Sequence, residues 1–123
     1  MLDPERHIQQ AKHNEHLAGF LEGTPYSDWR ATSLFYAAVH YLESYLCSSR
    51  SKLRSFPTHQ SREQAIGQDR HIRSVWGDYR SLKDWSQKAR YEGEKPNEIA
   101  FKDDILKSLA SIKKEIRRYI DFT

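Results

Sequence analysis

Apolar residues along this chain return every third or fourth position, in blocks separated by glycine, proline and small polar residues. That is the period of an α-helix with one buried face. From Pro4 to Glu22, residues Ile8, Ala11, Ala18 and Leu21 form such a stripe, with Leu17 and Phe20 beside it. Proline stands where a first helical turn tolerates it, and Gly23 followed by Pro25 is a stop signal. The next block, "DWRATSLFYAAVHYLESYL" from Asp28 to Leu46, repeats Trp29, Phe35 or Tyr36, Val39, Leu42 and Leu46. Ser27 is placed to cap it, and Asp28 meets the positive end of the helix dipole. At a rise of roughly 1.5 Å per residue the block makes a rod of about 28 Å, long enough to be the spine of a bundle.

The stretch "CSSRSKLRSFP", Cys47 to Pro57, breaks the period and reads as a loop. Thr58 or Ser61 can then cap a short helix carrying Ala65 and Ile66, which Gly67 limits. Ile72, Val75, Trp76, Tyr79, Leu82, Ser86 and Ala89 resume the helical spacing up to "ARYEGEKP", where glycine and proline end it. Ile99, Ile105 or Leu106, Leu109, Ile112, Ile116, and Tyr119 with Ile120 make the last helix, and Arg117 and Arg118 complement its dipole. No stretch alternates apolar and β-branched residues with polar ones, so no sheet is expected. The pattern predicts an all-α fold: an antiparallel four-helix bundle with an additional short helix, one domain over residues 1–123. Trp29, Trp76 and Trp85 lie on apolar stripes and are expected to pack in its core.

Composition agrees with that picture and narrows the setting. Hydrophobic residues make up 37% and aromatic residues 12% of the chain, enough to fill one core. With a mean hydropathy of −0.88, no run approaches the roughly 18 apolar residues of a membrane span. The opening "MLDPERHIQQ" lacks the basic and then apolar pattern of a secretory signal, so a cytoplasmic location and no membrane partner are expected. Cys47 is the single cysteine and reads as filler near a helix end.

The net charge of +3 is unevenly placed. Between Arg50 and Arg73, Arg50, Lys52, Arg54, Arg62, Arg70 and Arg73 stand against Glu63 and Asp69, with His59 and His71 in the same stretch. Such focused charge suits an anionic partner, RNA or a nucleotide phosphate, or else a solvated loop. His13 and His16 share a helix face, yet no second motif completes a metal set, so neither metal nor cofactor is expected. P-loop, dinucleotide, Gly-x-Ser-x-Gly and His-Glu-x-x-His signatures are all missing.

The order "DWRATSLFYAAVHYLESYL", then "PTHQSREQAI", then "YRSLKDWSQKARY" resembles the HEPN superfamily of small prokaryotic helical proteins. The residues that carry the likeness are Phe35 and Tyr36 on the second helix, His59 and Arg62 after the loop, and Arg90 and Tyr91 closing the next long helix. The resemblance implies a helical bundle that often pairs as a homodimer, and it leaves two jobs open. One is metal-independent RNA cleavage or RNA binding in a toxin–antitoxin or phage-defence system, with an arginine followed four to six residues later by a histidine. Arg54 and His59 match that spacing. The other is a non-catalytic interaction module that binds a nucleotidyltransferase, an antitoxin or another partner protein.

RNA cleavage without a metal needs a base for the 2′-hydroxyl proton, an acid for the leaving oxygen and a cation for the developing charge on phosphorus. His59 with Arg54, Arg62 or Arg90 could supply these parts, releasing a 2′,3′-cyclic phosphate. Tyr36, His40 and Tyr91 are the candidate substrate-binding residues. Each has a structural counterpart. His40 follows Tyr36 by one helical turn and reads in the first place as half of a polar core pair, and Arg90 stands where any helix favours a cation.

Overall fold

The computed structural model describes residues 3–49 and 59–122, with the backbone alone at 49 and 59. Five helices follow one another: α1 (Pro4–Leu21), α2 (Ser27–Ser49), the short α3 (His59–Gln68), α4 (Trp76–Tyr91) and α5 (residues 98–116). A single tight turn, Arg73–Val75, leads into α4. Along α5 an opening turn, Glu98–Ala100, passes through a π-helical stretch, Phe101–Ile105, into Leu106–Ile116. There is no strand among the described residues, and the all-α bundle of four long helices and one short one is the architecture found. No helix among them is long and apolar enough to cross a membrane.

Helix α2 is the spine. From Arg30 to Cys47 every residue is buried except Tyr36 and His40, which are partly so. A helix enclosed on all faces needs neighbours on all faces, and α1, α4 and α5 supply them. His7 meets His40 while Glu22 meets Arg30, so α1 runs antiparallel to α2. Ser81 and Trp85 of α4 both bond Asp104 of α5. Phe35 rests on Tyr79 with ring centres 5.7 Å apart, fixing α4 against the spine.

Local chemistry explains the helix ends. Asp3 caps α1 by accepting the Arg6 N–H at 2.9 Å, and Asn97 caps α5 by accepting the Ala100 N–H at 2.9 Å. Gly23 and Gly93 take φ values of 77° and 70° just after α1 and α4, where a side chain would be strained. Ser27 does not cap α2. The Tyr26 carbonyl accepts the Arg30 N–H at 3.0 Å, and Thr24 Oγ1 accepts the Tyr26 N–H at 3.2 Å while donating to the Leu21 carbonyl at 2.6 Å. Thr24 thus ties the turn before α2 back to the end of α1.

Other boundaries shift as well. Helix α2 continues through Cys47 to Ser49, because buried Leu46 and Cys47 still pack and Ser48 Oγ donates back to the Tyr45 carbonyl at 2.8 Å. Gly67 lies inside α3 instead of ending it, and Ser61 is in the body of that helix, while Thr58 lies outside the described residues. The last helix stops at Ile116, so Arg117 and Arg118 follow its end and Lys113 and Lys114 occupy its final turn.

Trp29 and Ile99 depart from the expected stripes, being 54% and 70% exposed. Both sit in first turns, beyond the reach of the neighbouring helices. Trp76 and Trp85 are partly buried as expected, Trp85 with its indole N–H donated to Asp104.

Leu42 is fully enclosed at the centre of the spine. Replacing Leu42 by alanine should cost about 2–5 kcal/mol in urea unfolding, whereas Ile99→Ala should change stability by no more than about 0.5 kcal/mol. Equal effects at the two positions would contradict the packing described.

Candidate functional site

Enclosing α2 brings polar side chains into the interior, where each must find a partner. The densest such place joins four helices. His7 from the first turn of α1, His40 and Glu43 one turn apart on α2, and Arg62 from α3 converge there, with Tyr79 of α4 alongside.

The His7 and His40 rings meet through their Nδ1 atoms at 2.9 Å. Only one of those nitrogens can donate to the other, so the pair shares a single proton between opposite tautomers. Glu43 Oε1 accepts from Arg62 Nε at 3.2 Å, and its Oε2 stands 3.5 Å from His7 Nδ1 and 3.9 Å from His40 Nδ1. His7, Glu43 and Arg62 are all less than a tenth exposed, and the His40 side chain retains 21%.

Burial governs the charge of this cluster. It pushes His40 down to about 4, aided by the neighbouring His7 and Arg62, because a second imidazole and a guanidinium both disfavour a positive ring. It also lowers His7, although Glu43 and Asp3 pull the other way. At neutral pH both rings are therefore uncharged, and the Glu43 approach to them is not a salt bridge. Burial raises the Tyr79 phenol, which Arg62 partly offsets. The formal ion pair of the cluster is Arg62 with Glu43.

Neutral imidazoles with free lone pairs can take up a proton or ligate a metal ion. His7, His40 and Glu43 are the one group of three or more such ligands found among the described residues, their ligand atoms lying within 4.8 Å of one another.

The candidates picked from the sequence are thus partly gathered. His40 and Arg62 both face Glu43. Tyr36, partly buried, leans on Phe35 with ring centres 5.0 Å apart. Arg90 and Tyr91 lie elsewhere: Arg90 is eleven residues beyond Tyr79 on α4, about 16 Å along the helix axis. There the Arg90 Nε donates to the Ser86 carbonyl at 3.1 Å, and its guanidinium stacks 4.8 Å from the exposed Tyr91 ring. Arg54 lies outside the described residues. His59 opens α3 one turn before Arg62, and its side chain is likewise outside them.

Sequence reading overlooked His7 and Glu43. A signal for Glu43 was present: His40 and Glu43 are spaced i, i+3 on the helix destined for the interior, where a charge requires a partner. Nothing in the linear sequence marked His7, thirty-three residues from His40.

A second buried network fastens the α3–α4 connection. The Tyr45 hydroxyl lies 3.0 and 3.1 Å from the two Asp69 carboxylate oxygens and 2.8 Å from His71 Nδ1, and the His71 ring stacks on Tyr119. Asp69 also accepts the His71 N–H at 2.8 Å, which makes it a local turn-former. This network is a structural joint.

Compared with protein-family models, with curated proteins and with solved structures, the chain matches none.

The depressed His40 pKa has a stability consequence. Between the ordinary value of 6.5 and about 4 the unfolded chain binds the proton and the folded one does not, so acidification through that window favours unfolding. Stability in urea should fall by up to about 3 kcal/mol over this range, since each tenfold change in proton affinity is worth about 1.4 kcal/mol. His40→Gln should flatten that dependence in metal-free buffer. An unchanged pH profile in the variant would mean that His40 titrates normally.

Proposed function

We propose that this chain is a HEPN-like interaction module of a cytoplasmic toxin–antitoxin or phage-defence system, docking a partner protein through one end of its bundle. The observation that carries this reading is where the exposed apolar side chains lie. Phe20 near the end of α1, Tyr26 and Trp29 at the start of α2, and Ile99 at the start of α5 are each more than half exposed. Arg30 ties these three helix ends together, pairing with Glu22 at 3.7 Å and Glu98 at 3.0 Å while lying 3.9 Å over the Phe101 ring. Tyr91, 75% exposed, closes α4 at the same end. Isolated apolar residues on a surface are ordinary, but a cluster of large aromatic ones is unfavourable to leave in water and marks a contact surface.

The partner class comes from the resemblance: a nucleotidyltransferase or antitoxin protein encoded beside this chain. Co-expression with that neighbour should give a complex that survives size exclusion, and Trp29→Glu or Phe20→Glu should weaken it at least tenfold with the helical content unchanged. Light scattering of the chain alone separates this outcome from pairing of two copies. A complex indifferent to both substitutions would overturn the assignment of the docking end.

RNA cleavage is the second reading, favoured by the meeting of His40 and Arg62 at Glu43 and by the exposed Arg70 and Arg73. Against it, Arg62 is buried on a carboxylate and the two imidazoles of the cluster, His7 and His40, are neutral, which supplies a base but no acid there. Purified protein incubated with RNA, with and without chelator, should leave it intact. Chelator-insensitive cleavage that disappears in His59→Ala or His40→Ala would reverse the order of the two readings.

A further inference from the structure

We infer that His7, His40 and Glu43 bind a divalent transition-metal ion of the zinc class. His7 Nδ1, His40 Nδ1 and Glu43 Oε2 are separated by 2.9, 3.5 and 3.9 Å. The circle through three points with those separations has a radius of about 2.0 Å, and zinc bonds imidazole nitrogen and carboxylate oxygen at roughly 2.0–2.2 Å. One ion at that centre, or slightly above its plane, reaches all three atoms without moving them, once the ring that donates through Nδ1 has passed that proton to its Nε2.

Hydrogen bonding alone accounts for less. It explains the contact between the two rings but leaves Glu43 Oε2 at distances from both that are longer than a good N–H···O bond. An ion accounts for the whole triangle.

The donor set selects the ion. Two imidazoles and one carboxylate suit Zn²⁺, Co²⁺ or Ni²⁺, whereas Mg²⁺ and Ca²⁺ prefer oxygen throughout. Arg62 Nε, 3.2 Å from the other oxygen of Glu43, fixes the carboxylate so that Oε2 faces the rings, the outer-shell role that metal sites commonly require. Partial exposure of His40 leaves one side of the cluster open to solvent, from which an ion can enter. One carboxylate against one guanidinium makes the pocket nearly neutral, so the binding expected is micromolar, weaker than at a closed structural site. An ion there would cross-link the first turns of α1 to the middle of α2.

The test is calorimetric titration of zinc chloride into the tag-free, chelator-stripped full chain, with the Co²⁺ absorption spectrum as a second readout. One ion per chain should bind, raising the unfolding temperature. His7→Ala and His40→Ala should each weaken binding by at least about a hundredfold, since loss of an outer-shell partner alone costs about 10–100-fold. His13→Ala and His16→Ala, at exposed positions on α1, should leave it unchanged.

Should the cluster variants fail to fold, nitrogen NMR of the wild type decides the matter: zinc should move the Nδ1 resonances of His7 and His40 and not those of His13 and His16. Absence of one-to-one binding, or zinc shifts confined to His13 and His16, would overturn the site. Either result leaves the docking reading standing, because Trp29 lies eleven residues from His40, about 16 Å along α2.

Discussion

Enclosure of α2 is the constraint on which the rest of the structure depends. A helix at the edge of a bundle can turn its polar residues to water, but a central one cannot. Between Arg30 and Cys47 the spine therefore has to pair every polar group it carries. Thr32 donates to the Asp28 carbonyl at 2.8 Å and Ser44 to the Tyr41 carbonyl at 2.6 Å, so these two hydroxyls are satisfied within the helix itself. The larger groups have to recruit partners from other helices. Tyr41 takes Glu15, Tyr45 takes Asp69 and His71, Arg30 takes Glu22 and Glu98, and Glu43 takes Arg62.

These pairings decide how the outer helices register on the spine. An apolar stripe permits sliding by a turn at modest cost, since one leucine or isoleucine resembles the next. A buried carboxylate does not, because removing its guanidinium leaves an uncompensated charge costing several kcal/mol. Lys113 to Glu15 at 3.1 Å adds a rim contact between α5 and α1, partly exposed and correspondingly weaker. The His7, His40, Glu43 and Arg62 cluster is thus a locating device for α1 and α3 as well as the proposed metal site. Both roles follow from burial: the environment that demands partners also strips the imidazoles of their protons.

The two proposed roles divide along the bundle's length. Towards one end lie two neutral imidazoles, a carboxylate and a guanidinium, inward-facing and mostly buried. At the other end large aromatic side chains face water. Ligation and docking make opposite demands on a surface, one needing convergence in a low-dielectric interior and the other needing exposed area. A rod of about 34 Å, twenty-three residues long, is enough to keep the two apart on one small domain.

What the amino-acid order determined by itself was the class of fold and most of its interior. Ile8, Ala11, Val75, Tyr79, Leu82, Leu109 and Ile112 are all buried where their 3.6-residue spacing put them, because helical periodicity is a local property that needs no knowledge of neighbours. Gly23 and Gly93 mark their turns for the same reason. Exceptions such as Trp29, Ile99 and Tyr119 show where that logic ends: a stripe states which face is apolar, not how far along its length the helix or its neighbour reaches. The site was legible only as fragments, His40 with its i+3 glutamate and an arginine on a later helix. His7, His40 and Arg62 are brought to one carboxylate by the crossing of separate helices. That meeting belongs to tertiary structure, since it depends on distances between segments that sequence spacing does not encode.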